Sequence, residues 1–305
     1  MTLPSVAIRL NRRTVDRYRF VALVLVPIVG LFVYLRVIPI AQTLVMSVFE
    51  WDLVSPAENF VGLDNYTDLL RDENFRLAFV NTGIFAVATT FISVAFALLL
   101  AALLSGFVRG RLGGALELLY FAPVLVPMVP VTLAWREIFA YQNGILNAGL
   151  GLIGIPKQPW LSDPESAMTA IIILSVWKQL GYNLVILIVG MRAIPKVYHE
   201  AAAVDGAGAW QQFRRITLPL LAPVTLFVIV ITTISAYNVF TQVYVLASDV
   251  QGAPGRLVRV LVYDIFENAF RFFNMGYAAA EAVYLLAIVL ILTLLQFRFL
   301  RGSSS

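Results

Sequence analysis

The stretch YHEAAAVDGAGAWQQFRRITLPLLAP, Tyr198 to Pro223, separates two segments that are apolar enough to be buried in lipid. Val197 to Val204 contains good helix formers and a run of three alanines, which predicts a slender helix. Asp205-Gly206 then interrupts this helix, because glycine tolerates the positive φ of a helix terminus. A second helix is predicted at Trp210 to Thr217. The stretch therefore predicts a helix–turn–helix loop that projects from a membrane.

The composition of the whole chain supports a membrane location. Of its 305 residues, 60% are hydrophobic and 13% are charged, and the mean hydropathy of +0.84 lies outside the range of soluble domains. The chain has no cysteine and one histidine, so it offers no disulfide framework and little material for a metal centre. The net charge of +4 is explained by basic residues that flank membrane spans. We therefore expect a lipid bilayer as the partner, and no nucleic acid.

The apolar segments predict the fold class, because a helix needs about 20 apolar residues to cross a bilayer. Six segments meet this requirement: Phe20 to Met46, part of Leu77 to Val108, Leu118 to Trp135, Ala167 to Met191, part of Ile216 to Ser248, and Gly276 to Phe297. The first is too long for the core of a signal peptide and lacks a small-residue cleavage site. The prediction is an all-α membrane domain of six transmembrane helices at residues 20–300, between tails at 1–19 and 301–305.

The charges between the spans predict the orientation. Lys and Arg are concentrated in the amino-terminal tail, the second-to-third loop, the fourth-to-fifth loop and the carboxy-terminal tail. Residues 49–78 lie on the opposite side and contain seven acids: Glu50, Asp52, Glu58, Asp64, Asp68, Asp72 and Glu73. Since short cytoplasmic loops carry the basic excess, both termini and the loop at 194–217 are predicted to be cytoplasmic. The chain is expected in the cell (inner) membrane.

The loop residues also resemble a known family. The matching positions are Ile194-Pro195, Glu200-Ala201-Ala202, Asp205-Gly206-Ala207, Phe213, Ile216, Leu218-Pro219 and Pro223. They resemble the EAA loop of permease subunits in ABC importers, in the form used by the carbohydrate family. Asn59 to Thr82, Gly144 to Leu150 and Gly276 to Ala282 are similar to other parts of the first permease subunit of maltose-type and glycerol-phosphate-type importers. The chain departs from the family at Gln251 to Val260, where relatives commonly carry a Gly-Gly-Pro turn followed by threonine.

The resemblance implies a type I importer permease fold and a set of partners. These are a second related permease subunit, a cytoplasmic ATPase dimer, an extracytoplasmic substrate-binding protein and a sugar-like substrate. It also implies that the loop at 194–217 docks on the ATPase through Glu200, Ala201, Ala202, Asp205 and Gly206. No G-x-x-x-x-G-K-[ST] motif occurs, so ATP and Mg would be bound by the partner ATPase, with no cofactor in this chain.

The residues offer nothing that predicts an enzyme. The sequence contains no H-E-x-x-H motif and no nucleophile elbow. No pair of carboxylates is expected to converge, no catalytic residue is assigned and no metal site is predicted. Glu281, among alanines, is expected near an outer rim or paired across helices.

Polar residues in the fourth span form one candidate substrate path. Lys178 lies about twelve residues inside the span, near mid-bilayer at about 1.5 Å per residue. Two i, i+4 pairs lie on adjoining faces of this helix: Lys178 with Tyr182, and Gln179 with Asn183. Intramembrane charges are functional candidates. The alternative is that Lys178 snorkels or bonds a neighbouring helix.

Ser235, Asn238 and Gln242 form a second candidate path in the fifth span. Their spacing of three and four predicts one shared helix face. They could bond sugar hydroxyls that have lost water, or they could make interhelical hydrogen bonds; both alternatives stay open.

Two other kinds of protein remain alternatives to an ABC importer subunit. A secondary carrier would need ion-coupling acids in its spans, for which Glu281 alone is poor support. A membrane scaffold would have no ATPase partner. The sequence leaves the choice of sugar or polyol open.

Overall fold

The computed structural model describes residues 12–52, 59–107, 110–247 and 258–301. These residues contain the helices α1 (Arg12–Phe32), α2 (Ile38–Met46), α3 (Asp64–Arg71), α4 (Glu73–Phe107), α5 (Arg111–Leu125), α6 (Met128–Ile138), α7 (Ile145–Leu152), α8 (Pro164–Arg192), α9 (Lys196–Val204), α10 (Ala209–Gln212), α11 (Leu218–Tyr237), α12 (Thr241–Ala247), α13 (Leu261–Phe270) and α14 (Met275–Arg301). A short antiparallel sheet pairs β1 (Phe49–Glu50) with β2 (Asn59–Phe60), with Phe49 opposite Phe60. Most of the tail at 1–19, Glu58, Arg109, residues 251–257 and residues 302–305 lie outside the described residues.

Five helical segments of the described chain are long and apolar enough to cross a membrane. They are Tyr18–Met46, Glu73–Gly106, Ser166–Arg192, Ala209–Tyr237 and Met275–Arg298. They match five of the six predicted spans. Two of them pass through five-residue π-helical turns, Val33–Val37 between α1 and α2 and Phe213–Thr217 between α10 and α11. The second turn makes Ala209–Tyr237 one continuous helix from the loop into the membrane.

The third predicted span, Leu118 to Trp135, is divided between two helices. α5 and α6 are separated by a break at which the chain bends by 101°. Pro127 lacks a backbone N–H and cannot continue the preceding helix. Proline also disfavours helical geometry in the residue before it, and Val126 is extended (φ −82°, ψ 134°). The helix of α5 therefore does not continue through Pro127.

Small residues bring the central helices into close contact. A Cβ added to Gly181 of α8 would lie 2.1 Å from the carbonyl oxygen of Tyr120 in α5, so these backbones touch. Gly190 makes a similar approach to Leu221 and Val224 of α11. Ala97 and Ala101 of α4 are fully buried in the same core. Close packing through small residues is typical of membrane helices, which gain no hydrophobic driving force from lipid.

Contacts between the helix ends define two opposite ends of the bundle. On one side, Arg192 at the end of α8 forms an ion pair of 2.5 Å with Glu117 of α5; this end, with α9 and α10, is called the α9 side. On the other, Tyr277 at the start of α14 donates a hydrogen bond of 2.7 Å to Asp72 before α4. This end, with α3, α7 and α13, is called the α13 side.

Asn147 organises the α7 loop on the α13 side. Its side chain is almost fully buried. The amide donates to the carbonyl oxygens of Tyr141 (3.2 Å) and Gln158 (3.0 Å), and its oxygen accepts from the Gln158 backbone N–H and Trp160 Nε1, both at 3.0 Å. One side chain therefore ties α7 to the segment that leads into α8.

Replacing Asn147 with Leu should lower the melting temperature of the purified protein. Leucine has a similar volume but leaves several buried groups unpaired, at about 1 to 3 kcal/mol for each group. Asn143→Leu, at an exposed position of the same loop, is the matched control. Equal melting temperatures and equal protease resistance for the two variants would contradict a structural role for the Asn147 amide.

Candidate functional site

The loop between α8 and α11 has the geometry predicted for it. α9 ends at Val204, and Gly206 adopts φ +78°. The Gly206 N–H donates to Ala203 O (3.1 Å) and the Ala207 N–H to Ala202 O (2.9 Å). These two bonds form a Schellman motif, which satisfies the last carbonyls of a helix through a residue with positive φ. The helix–turn–helix prediction and the positive φ at glycine are confirmed.

Side-chain contacts hold the two arms of this loop together. Gln212 of α10 donates a hydrogen bond of 2.9 Å to the Ala207 carbonyl, and its oxygen lies 3.3 Å from His199 Nδ1 on α9. The rings of Trp210 and Phe213 stack with centroids 5.8 Å apart. The loop is therefore a preformed unit rather than an open connector.

The outer surface of this unit is apolar and carries two carboxylates. Val204 is 88% exposed, Val197 is 62% exposed and Trp210 is 71% exposed. Glu200 and Asp205 are exposed beside them. Exposed apolar side chains with a polar rim mark interaction sites, so this surface can receive another protein.

The ammonium group of Lys178 lies against the break between α5 and α6. Its Nζ donates to the carbonyl oxygens of Pro123 and Val126, both at 2.5 Å, and lies 3.4 Å from that of Val124. A carbonyl without a partner in a bilayer costs several kcal/mol. Lys178 thus bonds a neighbouring helix, as the alternative interpretation held, and supplies the donors that the bend removes.

The other three candidates on α8 differ in their surroundings. Asn183 is fully buried. It donates to Ser93 Oγ of α4 (3.4 Å) and accepts from Thr232 Oγ1 of α11 (3.2 Å), so it joins three helices. Gln179 and Tyr182 are partly exposed. Their role in a substrate path stays a prediction.

Ser235, Asn238 and Gln242 do not share one helix face, so that geometric prediction is wrong. α11 ends at Tyr237, where Asn238 is the C-cap and donates a hydrogen bond of 2.7 Å to Ile234 O. Gln242 lies on α12 and donates to Ser175 Oγ of α8 (3.2 Å), an interhelical bond. Ser235 and Asn238 remain exposed on the described chain.

A buried charged cluster on the α13 side was not predicted from the sequence. Arg259 forms ion pairs with Asp264 and, at 2.9 Å, with Glu267 on α13. Glu281 of α14 is fully buried, and its carboxyl lies beside that of Asp264. Burial raises the pKa of the Asp264 carboxyl, although Arg259 opposes the shift. The expectation that no carboxylates converge is therefore wrong, because carboxyls distant in sequence meet through the packing of α13 on α14.

One signal for this cluster was present in the sequence. Asp264 and Glu267 are three residues apart and therefore share a face of an otherwise apolar helix. Two residues of α4 bond the segment at the start of α13. Asn81 donates a hydrogen bond of 3.0 Å to Arg259 O, and Thr82 Oγ1 accepts one of 2.9 Å from the Leu261 N–H. Nothing in the local pattern indicated that Glu281 is their partner.

Solved structures of ABC transporters share this fold. A chain of a bacterial ABC transporter involved in the import of the acidic polysaccharide alginate matches with a TM-score of 0.83. The match covers 95% of this chain and 98% of that chain at 21% identity. A structure of bacterial alginate ABC transporter in complex with alginate pentasaccharide-bound periplasmic protein matches with a TM-score of 0.80, over 93% and 94% of the two chains. The fold is that of an ABC importer permease.

Sequence comparisons then show the family. The family described as "Binding-protein-dependent transport system inner membrane component" matches residues 93–304. The Bacillus subtilis protein named "Probable ABC transporter permease protein YurN" is 34% identical over 95% of this chain and 98% of its own length. The Agrobacterium fabrum sn-glycerol-3-phosphate transport system permease protein UgpA is 35% identical, over 86% of this chain and 87% of that protein. The Thermococcus litoralis trehalose/maltose transport system permease protein MalF is 31% identical, over 89% of each.

This chain belongs to the family of binding-protein-dependent transport system inner membrane components. It is a permease subunit of an ABC transport system, as the resemblance implied. The residues described above are therefore parts of a transport machine rather than of an enzyme.

Lys178→Met should destabilise the purified protein more than the same change at the adjacent residue. Methionine keeps most of the side-chain volume but removes every donor from the break, at about 1 to 3 kcal/mol for each carbonyl left unpaired. Gln179→Met, on the same helix and partly exposed, is the matched control. Thermal melting in detergent compares them, and equal melting temperatures would show that the Lys178 bonds do not support the bend.

Proposed function

We propose that this chain is one of two permease subunits in an ATP-driven importer of a carbohydrate or a related polyol. The loop between α8 and α11, called the α9 loop, carries the proposal. It is preformed, with an exposed apolar surface and a Schellman turn. The relatives named for trehalose/maltose and for sn-glycerol-3-phosphate support this substrate class. ATP and Mg would be bound by a partner ATPase.

The proposed ATPase partner would dock on the α9 loop. Glu200 and Asp205 would provide polar anchors, and the small residues Ala201 and Ala202 would allow a close approach. Gly206 sets the direction of the chain after the docked helix. Because α10 continues through the π-helical turn into α11, a displacement of the loop would pass directly into a membrane span.

A second permease subunit would complete the translocation path. Ser235 and Asn238 are exposed at the carboxy-terminal end of α11. Gln179 and Tyr182 are partly exposed on α8. In a path shared with a second subunit, these groups would replace the water that sugar hydroxyls lose. A binding protein on the α13 side would deliver the substrate, as the structure of the alginate transporter in complex with a periplasmic protein supports.

The orientation that fits these partners places the α9 side in the cytoplasm. The loops on the α9 side carry the basic excess, and residues 49–78 on the α13 side are acidic. Both termini would then be cytoplasmic, in a multi-pass protein of the cell membrane.

Cysteine labelling should confirm this orientation, because the chain contains no cysteine of its own. Asp68→Cys and Glu200→Cys both introduce a thiol at an exposed position, on the α13 side and the α9 side respectively. In right-side-out vesicles, an impermeant thiol reagent should label only Asp68→Cys, and permeabilisation should make Glu200→Cys reactive. The opposite pattern would reverse the proposed topology.

Gly206→Val should uncouple ATP hydrolysis from transport while the complex stays assembled. A side chain added at Gly206 or Gly208 enters open space. Only Gly206 has positive φ, whereas Gly208 has φ −69°. A β-branched residue is therefore strained at Gly206 alone, by about 1 to 3 kcal/mol, and the end of α9 should be misplaced.

The measurement compares Gly206→Val with Gly208→Val in vesicles that contain the complete transporter. Copurification should recover the ATPase and the second permease with the wild-type chain, with Gly206→Val and with the Gly208→Val control. Substrate uptake and the stimulation of ATP hydrolysis by loaded binding protein should be lost at Gly206→Val and retained at Gly208→Val. Wild-type uptake without ATP would instead favour a secondary carrier and would overturn the proposed function.

A further inference from the structure

Two buried carboxylate oxygens meet between α13 and α14 with no donor to bond them. Among the described residues, Asp264 Oδ2 and Glu281 Oε1 are both without a hydrogen-bond partner, although the two carboxyl groups are neighbours. Both residues are essentially inaccessible, at 1% and 0% exposure. Neither group can donate to the other while both are ionised.

The remaining oxygen of each carboxyl already has a partner. Asp264 Oδ1 is bonded by the guanidinium of Arg259. Glu281 Oε2 accepts a hydrogen bond of 3.2 Å from Asn268 Nδ2. This difference assigns the roles: Asp264, next to a cation, suits the ionised form, whereas Glu281, bonded by a neutral amide, suits the protonated acid.

The surrounding charges do not neutralise a second carboxylate. Glu267 of α13 faces the cluster. Its carboxylate accepts hydrogen bonds from Tyr263 and from Arg271, which is about half exposed. Arg259 lies before α13, and Tyr277 of α14 donates to Asp72 near the start of α4. With all acids ionised, the buried core of the cluster would hold Asp264, Glu267 and Glu281 against one buried guanidinium. Carboxylates in contact cannot both ionise at ordinary cost.

A metal ion is a poor solution for this site. In residues 12–52, 59–107, 110–247 and 258–301, no group of three or more His, Cys, Asp or Glu side chains is arranged to hold a metal. One proton needs only two oxygens. It satisfies both unpaired atoms and removes the excess negative charge.

We propose that Asp264 and Glu281 form a proton-binding site, in which one proton held by Glu281 Oε1 is donated to Asp264 Oδ2 at neutral pH and fastens α13 to α14. The site lies on the side of the bundle that also carries the acidic residues 49–78. Loss of the proton leaves two adjacent buried negative charges. α13, which Asn81 and Thr82 bond at its entry, is then held less tightly to α14, although the bond from Asn268 to Glu281 remains.

The sign of the pH dependence follows from the bound proton. The folded chain holds one proton that an unfolded chain releases above the ordinary carboxyl pKa of about 4. The stability contributed by the pair is therefore complete at acidic pH and is lost as the pH rises. Above the ordinary carboxyl pKa, the release of this one proton on unfolding should raise the unfolding equilibrium constant by up to about tenfold for each pH unit.

Glu281→Gln tests the proposal directly. The carboxamide has the same shape, can donate permanently to Asp264 Oδ2 and can still accept from Asn268. Infrared spectra of the purified full-length chain at neutral pH should show the carbonyl band of a protonated carboxylic acid, with a shift in heavy water. This band should be absent or reduced in Glu281→Gln, and a spectrum with equal intensity in both proteins would overturn the proposal.

Thermal melting across pH provides the second readout. Wild type should lose stability from pH 6 to pH 9, and Glu281→Gln should lack this one-proton dependence. Glu267→Gln is the matched control: it is a buried acid of the same cluster whose oxygens are already bonded by Arg259, Arg271 and Tyr263. It should lower stability at every pH and keep the wild-type slope and infrared band.

Equal pH slopes for wild type and Glu281→Gln would contradict the shared proton. If Glu281→Gln does not assemble, Asp264→Asn serves as the second variant, since its amide can donate to an ionised Glu281 and should also remove the band. If neither variant assembles, the wild-type spectrum decides, because the absence of a protonated carboxyl band at neutral pH overturns the proposal.

Discussion

A hydrocarbon interior offers no water to bond a backbone carbonyl, and the bend after α5 leaves carbonyl oxygens without their helical donors. Lys178, in the middle of α8, supplies donors to these oxygens. Its ammonium group lies within hydrogen-bonding distance of the carbonyl oxygens of Pro123, Val124 and Val126. The contact of Gly181 with Tyr120 brings α5 close enough for this bonding. One ammonium group therefore contributes both to the bend and to the packing of α5 on α8. A charge in a membrane span can serve architecture as well as transport.

Much of the fold could be predicted from the sequence because lipid imposes a simple requirement. Length and apolarity are enough to place spans such as Ser166–Arg192, since every spanning segment must bond its own backbone. The α9 loop was also predictable, because its signal is local: good helix formers lead to Gly206, and positive φ at a helix end favours glycine. Pro127 could have predicted the bend, since a residue before proline avoids helical geometry. The apolar residues around Pro127 nevertheless favoured the prediction of a single membrane span.

The partners of the polar side chains could not be read from the sequence, because they are set by packing between distant segments. Asn183 meets Ser93 and Thr232 only when α4, α8 and α11 pack together. Helical spacing grouped Asn238 with Gln242, but spacing holds only inside one helix, and α11 ends at Tyr237. Glu281 finds Asp264 across the boundary between α13 and α14. Family membership shows what kind of machine the chain belongs to, whereas these pairings show how its polar groups are accommodated in lipid.

The continuous helix from Ala209 to Tyr237 has a mechanical consequence. At about 1.5 Å per residue it is a rod of roughly 43 Å, and a tilt of about 5° around its loop end displaces the other end by roughly 4 Å. The π-helical turn at Phe213–Thr217 keeps the rod unbroken where it enters the membrane. The chain leaves helical geometry at Asn238, the residue that caps the end of this rod distant from the loop. A displacement applied to the loop at Trp210 would therefore be transmitted along a single helix to the exposed side chain of Asn238.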